Sequence, residues 1–358
     1  PYMDHAETDL NPRYERGTLQ EVYEMIGKDI EAGIPLIDDT AYSVPKYHFN
    51  YKAACCFASR YYLFMQDWDN AIKYATMALT SNPSSLLRDY SAIAALPNGT
   101  SRHQEYVNSA STANFLLQAA TSNSGLLFDW YSTAGRYSHG KLQGIYETVQ
   151  PKKGGPWGSS VTFKAPHAVL ASSGKYVLPR TWRVFQYTDP VAGTGFNKAI
   201  SVLFTSEEAL LNRAEAYIMK MNEDPTALDK ALEDINLYAA NLFSAGFKSM
   251  TEASIIKWAT ETYPDYSELY VGKTSVSSPQ TLNPKKKLHA APYNTLEEGG
   301  PQESMLQALI FMRRYQFLHE GMRWFDTRRF GITVYRYLLD EDAETVVQIT
   351  DQISDENG

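Results

Sequence analysis

The residues in this chain that could do chemistry stop short, in their spacing, of each familiar catalytic arrangement. His319-Glu320 followed by Arg323 is half of a zinc-protease helix motif, but a guanidinium stands where the second imidazole should be and cannot ligate zinc. The seven His residues are scattered singly, so no metal is expected. Gly154-Gly155-Pro156-Trp157-Gly158-Ser159 has the glycine density of a phosphate loop. It lacks the lysine, and Pro156 removes an amide donor, so it reads as a turn that displays Trp157. There is no Gly-x-Ser-x-Gly elbow for a serine nucleophile. Glycoside hydrolysis needs two carboxylates facing each other across a cleft. Asp38-Asp39, Glu207-Glu208 and Glu297-Glu298 are instead sequence neighbours, expected to be capping or solvated acids. No catalytic residue and no cofactor is expected.

What the chain has in surplus is aromatic surface. Aromatic residues make up 13% of it, with 25 Tyr against 15 Phe, and Tyr joins a stackable face to a polar tip. Three of the six Trp fall in one stretch, about 122–197, rich in Gly, Ser and Pro and carrying short β-type runs such as Val161-Thr162-Phe163 and Arg183–Tyr187. Long segments without helical period usually carry function. Trp130, Tyr131, Trp157, Tyr176 and Trp182, with Asp129 and Arg180 beside them, are the expected ligand-binding residues, forming a shallow solvent-facing platform. Trp and Tyr faces suit the apolar C–H faces of sugar rings, and the flanking polar groups suit hydroxyls.

The elements that must position these residues are helices. Thr18 and Glu21 form a capping-box pattern, and Leu19, Val22, Tyr23, Ile26 and Ile30 follow helical spacing as far as Pro35. A second helix, about 51–66, is apolar on all sides through Ala53, Ala54, Cys55, Cys56 and Ala58 and so belongs in a core. A third covers Ala71 to about Leu79. Ser59, Tyr62, Ala71, Ala78 and Pro83 fall at tetratricopeptide offsets, and a second copy spans Ser206–Asn241 through Ala214, Tyr217 and Ala231. Such units bury their faces only by stacking, so further helices are implied. A second irregular stretch, about 271–300, reads as a polar surface excursion, and the last helix begins near Pro301. The fold expected is mainly α: one tetratricopeptide-like repeat scaffold over the whole chain, with an irregular, partly β insert.

Composition excludes several classes. A net charge of −8 and no basic run longer than Lys285-Lys286-Lys287 argue against nucleic acid as a partner. No run approaches the roughly 18 apolar residues of a membrane span. Two adjacent cysteines, Cys55 and Cys56, cannot form an unstrained disulfide and are expected to be buried thiols.

The run Arg313-Arg314-Tyr315-Gln316-Phe317-Leu318-His319-Glu320-Gly321-Met322-Arg323-Trp324-Phe325-Asp326-Thr327-Arg328-Arg329-Phe330-Gly331 resembles the C-terminal signature of the SusD/RagB family. It departs at Met312, where the family carries Glu, and at Thr327, where Leu is usual. Thr18–Leu36, Lys52–Leu79 and Thr205–Asn236 are similar to family helices in the expected order. On its own chemistry the signature reads as a packing and ion-pair knot of Arg323, Asp326, Arg328 and Arg329. Trp324 and Phe325 are expected to supply its apolar anchors, Trp324 as a buried one whose loss costs about 3–5 kcal/mol. The resemblance implies a cell-surface lipoprotein of the outer membrane that holds glycan or peptide for a SusC-like TonB-dependent transporter. It also implies that the lipid-bearing Cys and first repeat helices lie upstream of this chain, and that the end after Val347 is cut short. A tetratricopeptide adaptor is the alternative, though the apolar Ala53–Ala58 stretch argues against it; a glycoside hydrolase is third.

Overall fold

Helix α1, Leu19–Gly33, starts at the predicted cap: Thr18 Oγ1 accepts from the Glu21 amide at 3.1 Å, and Glu21 accepts from the Thr18 amide at 2.7 Å. The computed structural model describes residues 2–3, 5–125, 154–164, 169–171, 175–177, 180, 182, 184–263, 285–339 and 346–354. Asn50 and Asp67 cap α2, Tyr51–Phe64, and α3, Trp68–Leu79. Short helices α4, Tyr90–Ala94, and α5, Gly99–Tyr106, lead into strand β1, Asn114–Thr121.

Strand β2 is Thr162–Phe163; β3, Val169–Ala171, and β4, Lys175–Val177, pair with each other; β5 is Val184–Asp189 and β6 is Thr194–Thr205. β1, β6 and β5 form one antiparallel sheet in the order β1-β6-β5, so the partly β character expected of the insert is present and extends beyond its edges. β6 runs directly into α6, Ser206–Lys220, followed by α7, Ala227–Leu242, and by β7, Phe243–Ala245, which pairs with β2. After α8, Glu252–Lys257, come α9, Pro301–Gln316, α10, Met322–Phe330, and a hairpin of β8, Val334–Leu339, with β9, Val346–Ile353.

The repeats are where the spacing placed them. α2 pairs with α3, α6 pairs with α7, and α6 lies centrally against α2, α3 and α9. Close approach is possible because the facing residues are small: Ala53, Ala58, Ala71, Ala78, Ala214 and Ala231 have no exposed surface. Tyr62 lies flat on Tyr74 of the same hairpin, with ring centroids 5.3 Å apart, and donates to Glu31 of α1 at 2.8 Å. Cys55 and Cys56 are free and buried, as expected.

The described part of the second irregular stretch, residues 285–300, has most of its residues at least partly exposed and is anchored through the buried Lys285, Leu288 and Tyr293. Its Tyr293 is buried edge-on against Phe330, and the His289 amide donates to the Phe330 carbonyl at 3.1 Å. One expectation needs correction: Trp324 and Phe325 are 53% and 51% exposed, and neither is a core anchor. α10 buries Met322, Asp326, Thr327 and Phe330, and this face leaves Trp324 turned to solvent.

Candidate ligand-binding cleft

Four consecutive polar residues, Thr205 to Glu208, cap and open α6, and all are buried. Thr205 Oγ1 caps the Glu208 amide at 3.1 Å, Ser206 Oγ donates to the Leu86 carbonyl at 2.9 Å, and Glu207 accepts from the Arg88 amide at 2.9 Å. Glu208 takes a two-toothed pair from Arg60 of α2, at 2.6 and 2.8 Å. Acids are favoured at a helix start by the partial positive charge of its unpaired amides. Arg60 also lies over the Phe204 ring at 4.4 Å and donates to the Leu203 carbonyl at 3.1 Å, which ties α2 to the end of β6. Glu207-Glu208, expected as capping or solvated acids, stand in the first turn of α6, but buried and paired and not solvated. Of the other acid pairs, Asp38 caps Thr40, and Glu298 pairs with Lys287.

Facing this pair is the turn between α9 and α10. Gly321 has φ +82°, a conformation that any side chain would strain. The turn presents Glu320, which accepts from Tyr106 of α5 and lies 3.7 Å from Arg180. Burial pushes the Glu320 carboxyl above its usual range, and Arg180 and the Tyr106 hydroxyl only partly offset this. Burial likewise pushes the nearby Tyr90 hydroxyl up to about 12, so it remains a protonated donor at neutral pH.

Beneath the turn lies a lattice of buried charge. Arg313 holds Asp326 through three contacts of 2.9–3.1 Å and donates its remaining arm to Asn212 at 2.8 Å. Asn212 donates to Ser59 at 3.0 Å, so the signature is wired to both repeats. Arg329 pairs with Glu215 at 2.9 Å and Asp326 at 3.2 Å, and donates to the Tyr293 hydroxyl at 3.0 Å. Of the four residues expected to make the knot, Asp326 and Arg329 do so, and their buried partner is Arg313 of α9, which was not among them; Arg328 is exposed.

Between the two walls is a cleft of about 250 Å³, lined by Arg60, Leu203, Phe204, Glu208, Glu320 and Phe325, among others. Phe325 is 51% exposed and stacks at 6.4 Å on Phe64, which holds its ring at the cleft. The cleft combines an open aromatic face with a guanidinium and carboxylates whose positions are fixed from behind. That is the composition of a site for a polar molecule with one apolar face. A larger hollow of about 380 Å³ between α1 and α2 is lined mainly by Ile26, Ile30, Ile34, Phe49 and Phe57. Its carboxylate, Asp29, already accepts from Tyr2, which leaves few groups to orient a polar ligand.

Residues 1–63 match the model of a SusD-like family described as "Starch-binding associating with outer membrane". Two solved structures have the same fold. A SusD superfamily protein from Bacteroides fragilis is 18% identical, with a TM-score of 0.51, covering 93% of this chain and 62% of that protein. A SusD-like protein from Bacteroides fragilis NCTC 9343 is 13% identical, with a TM-score of 0.50, covering 95% of this chain and 68% of that protein. A SusD-like carbohydrate binding protein from Bacteroides vulgatus is also similar, at 17% identity and a TM-score of 0.46, covering 93% of this chain and 57% of that one. The chain thus spans less than two thirds of the length of two of these three proteins. Among curated proteins no sequence matches.

Of the expected platform residues that the structure describes, Trp157 and Arg180 are buried in the scaffold. Trp157 is 5% exposed and packs on Phe243 and Phe311, with ring centroids 4.9 and 5.8 Å away. The turn predicted around it exists, with the Gly158 amide bonded to the Gly155 carbonyl at 3.3 Å. It drives Trp157 inward, because Gly155 has no side chain to block the indole. Arg180 is buried too, donating to the Gln316 carbonyl and lying 5.3 Å over the Tyr106 ring. For Trp157 and Arg180 the solvent-facing reading is corrected: both hold the insert to the scaffold. Trp182 is half-buried against Gly99 at the start of α5. Tyr176 pairs with Leu170 in the β3–β4 hairpin. Asp129, Trp130 and Tyr131 lie outside the described residues.

Sequence reasoning missed Arg60 and Glu208. They are 148 positions apart, and each taken alone reads as an ordinary helix-surface charge. The available signal was Glu208 itself, three residues after a capping Thr at the head of an apolar helix.

Proposed function

We propose that the chain is a non-catalytic glycan-binding protein of the outer membrane, a lipoprotein that captures oligosaccharide and yields it to a SusC-like TonB-dependent transporter. The observation that carries this reading is the cleft. Phe325 offers an exposed ring for the C–H face of a sugar, and Arg60, Glu208 and Glu320 offer charged donors and acceptors for its hydroxyls. The starch-binding description of the family model, which matches residues 1–63, points the same way. Burial under the turn leaves no long reorganisation to complete before a ligand binds, which favours affinity.

Calorimetric titration with neutral malto-, xylo- and cello-oligosaccharides, with a short peptide library alongside, tests the reading. Phe325→Ala should weaken the oligosaccharide that binds by about 1–3 kcal/mol, as for other aromatic hot spots. Its melting temperature should stay close to that of the parent, because half of the ring already faces water. Binding of peptides alone, or full affinity in Phe325→Ala, would overturn it. No covalent step belongs to this function, and both Glu208 oxygens are already engaged by Arg60. Prolonged incubation should therefore release no new reducing ends. Release that disappears in Glu320→Gln would make the protein a hydrolase.

A further inference from the structure

We infer that the outer face of the β1-β6-β5 sheet is a second contact surface for an uncharged glycan chain, continuing from the cleft along β6. The inference rests on the glycan reading of the cleft. Leu203, one of the cleft-lining residues, is exposed on β6. Alternate residues of a strand share a face, so Ser201, Ala199, Asn197 and Gly195 lie on one side, and Leu203, the extra residue of a bulge opposite Leu116 and Leu117, is exposed next to Ser201. The register adds Gln118 opposite Ser201, Ala120 opposite Ala199, Phe185 opposite Asn197 and Tyr187 opposite Gly195. From Leu203 to Asn197 is six residues, about 20 Å at a strand's rise. The face is a track and not a spot.

At the far end of the track two rings meet. Phe185 and Tyr187 lie edge to face with centroids 4.8 Å apart, and are 38% and 58% exposed. Gly195 makes room for them: a Cβ there would come within 2.9 Å of the Phe185 ring. Rings held in place yet facing water are the expensive part of a binding surface, already ordered before a ligand arrives. Between them and the cleft stand an amide at Gln118, a hydroxyl at Ser201 and the Asn197 amide, held by a 2.9 Å bond to Asn123.

The charge on this face decides the class of ligand. The protein carries −8 overall, yet none of these strand positions is charged. Lys198, bonded to Thr121 at 2.8 Å, alternates to the opposite side, and Asp189 at the hairpin tip accepts from the Val191 and Ala192 amides at 2.9 and 3.0 Å. An ionic partner would find no countercharge here, whereas an uncharged polyol finds rings, amides and a hydroxyl at intervals. A neutral oligosaccharide, longer than the cleft can hold, is the occupant that fits.

The experiment compares maltose, short enough for the cleft, with maltoheptaose, which reaches along the track. Titration of the full chain should show maltoheptaose binding more tightly. Tyr187→Ala should lower maltoheptaose affinity about tenfold while leaving maltose binding and the melting temperature unchanged. Gln118→Ala, on a different strand, should act in the same direction without touching the hairpin. If both variants keep the affinity for maltoheptaose, the track is refuted while the cleft stands. If Phe325→Ala leaves maltose binding intact and Tyr187→Ala still weakens maltoheptaose, the cleft reading falls and the sheet face survives it. Concentration-dependent self-association that Tyr187→Ala removes would assign the face to a second copy of the chain and overturn the inference. If no malto-, xylo- or cello-oligosaccharide binds the parent protein, both readings fall.

Discussion

Asp326→Ala is expected to cost about 3–5 kcal/mol of folding stability at neutral pH, because it strands the Arg313 guanidinium in the interior. Arg313 directs three contacts at Asp326, and neither side chain is more than 2% exposed. Arg329 loses one of its two carboxylates in the same substitution and keeps Glu215. Denaturant unfolding of the parent and variant measures the difference. Removing both charges, Arg313→Met with Asp326→Leu, should cost clearly less than the sum of the single changes, because no unpaired ion then remains buried. Costs that simply add would mean that the two residues contribute as separate packing units.

The same pair has a pH signature. Burial alone would raise the Asp326 carboxyl, but Arg313 and Arg329 more than reverse that and hold it below its ordinary range. Its folded pKa is therefore lower than its unfolded one. The stability it adds is complete above the unfolded value, about 3.9, and is lost as pH falls through the folded value. The gap between parent and Asp326→Ala should thus be widest near neutrality and close in acid. Glu320 works in the opposite sense. Its folded pKa is raised, so its buried charge is a cost above that pKa, relieved as pH falls through it towards the unfolded value. An acid titration of stability that ran the other way at Asp326 would contradict the geometry.

Trp157→Ala and Trp324→Ala should separate sharply in stability. Trp157 is seated between Phe243 and Phe311, so its removal leaves a cavity and should cost about 3–5 kcal/mol. Trp324 is half open to water, and its loss should change stability by no more than about 0.5 kcal/mol. The contrast reverses the roles that residue type alone suggested, with the insert's tryptophan as ligand platform and the signature's tryptophan as core anchor. Comparable melting temperatures for the two variants would show that the insert is not packed as described.

The repeat scaffold was legible because its signals are local. A capping box, alanines recurring at close crossings and a proline closing a helix pair each act within a few residues, and Thr18, Ala71, Ala78 and Ala214 do what their spacing implied. The signature run was legible in part: Asp326 and Arg329, three residues apart on one helix, were expected to pair, whereas Arg313, on the preceding helix, was not.

What surrounds them was decided only when distant segments met. Period and capping predict that a helix exists and which stripe it buries, but not which aromatic in a loop will find a cavity. Trp157 turns inward because Gly155 leaves space and Phe243 and Phe311, far along the chain, supply the walls. Arg60 and Glu208 become one planar pair because α2 and α6 pack side by side, and no spacing rule links positions 148 apart. The helical scaffold could thus be read from residue order, and the charged knot only in Asp326 and Arg329. The cleft and the neutral sheet face exist only through long-range packing, because a binding surface is built from side chains that the fold, and not the chain, makes neighbours.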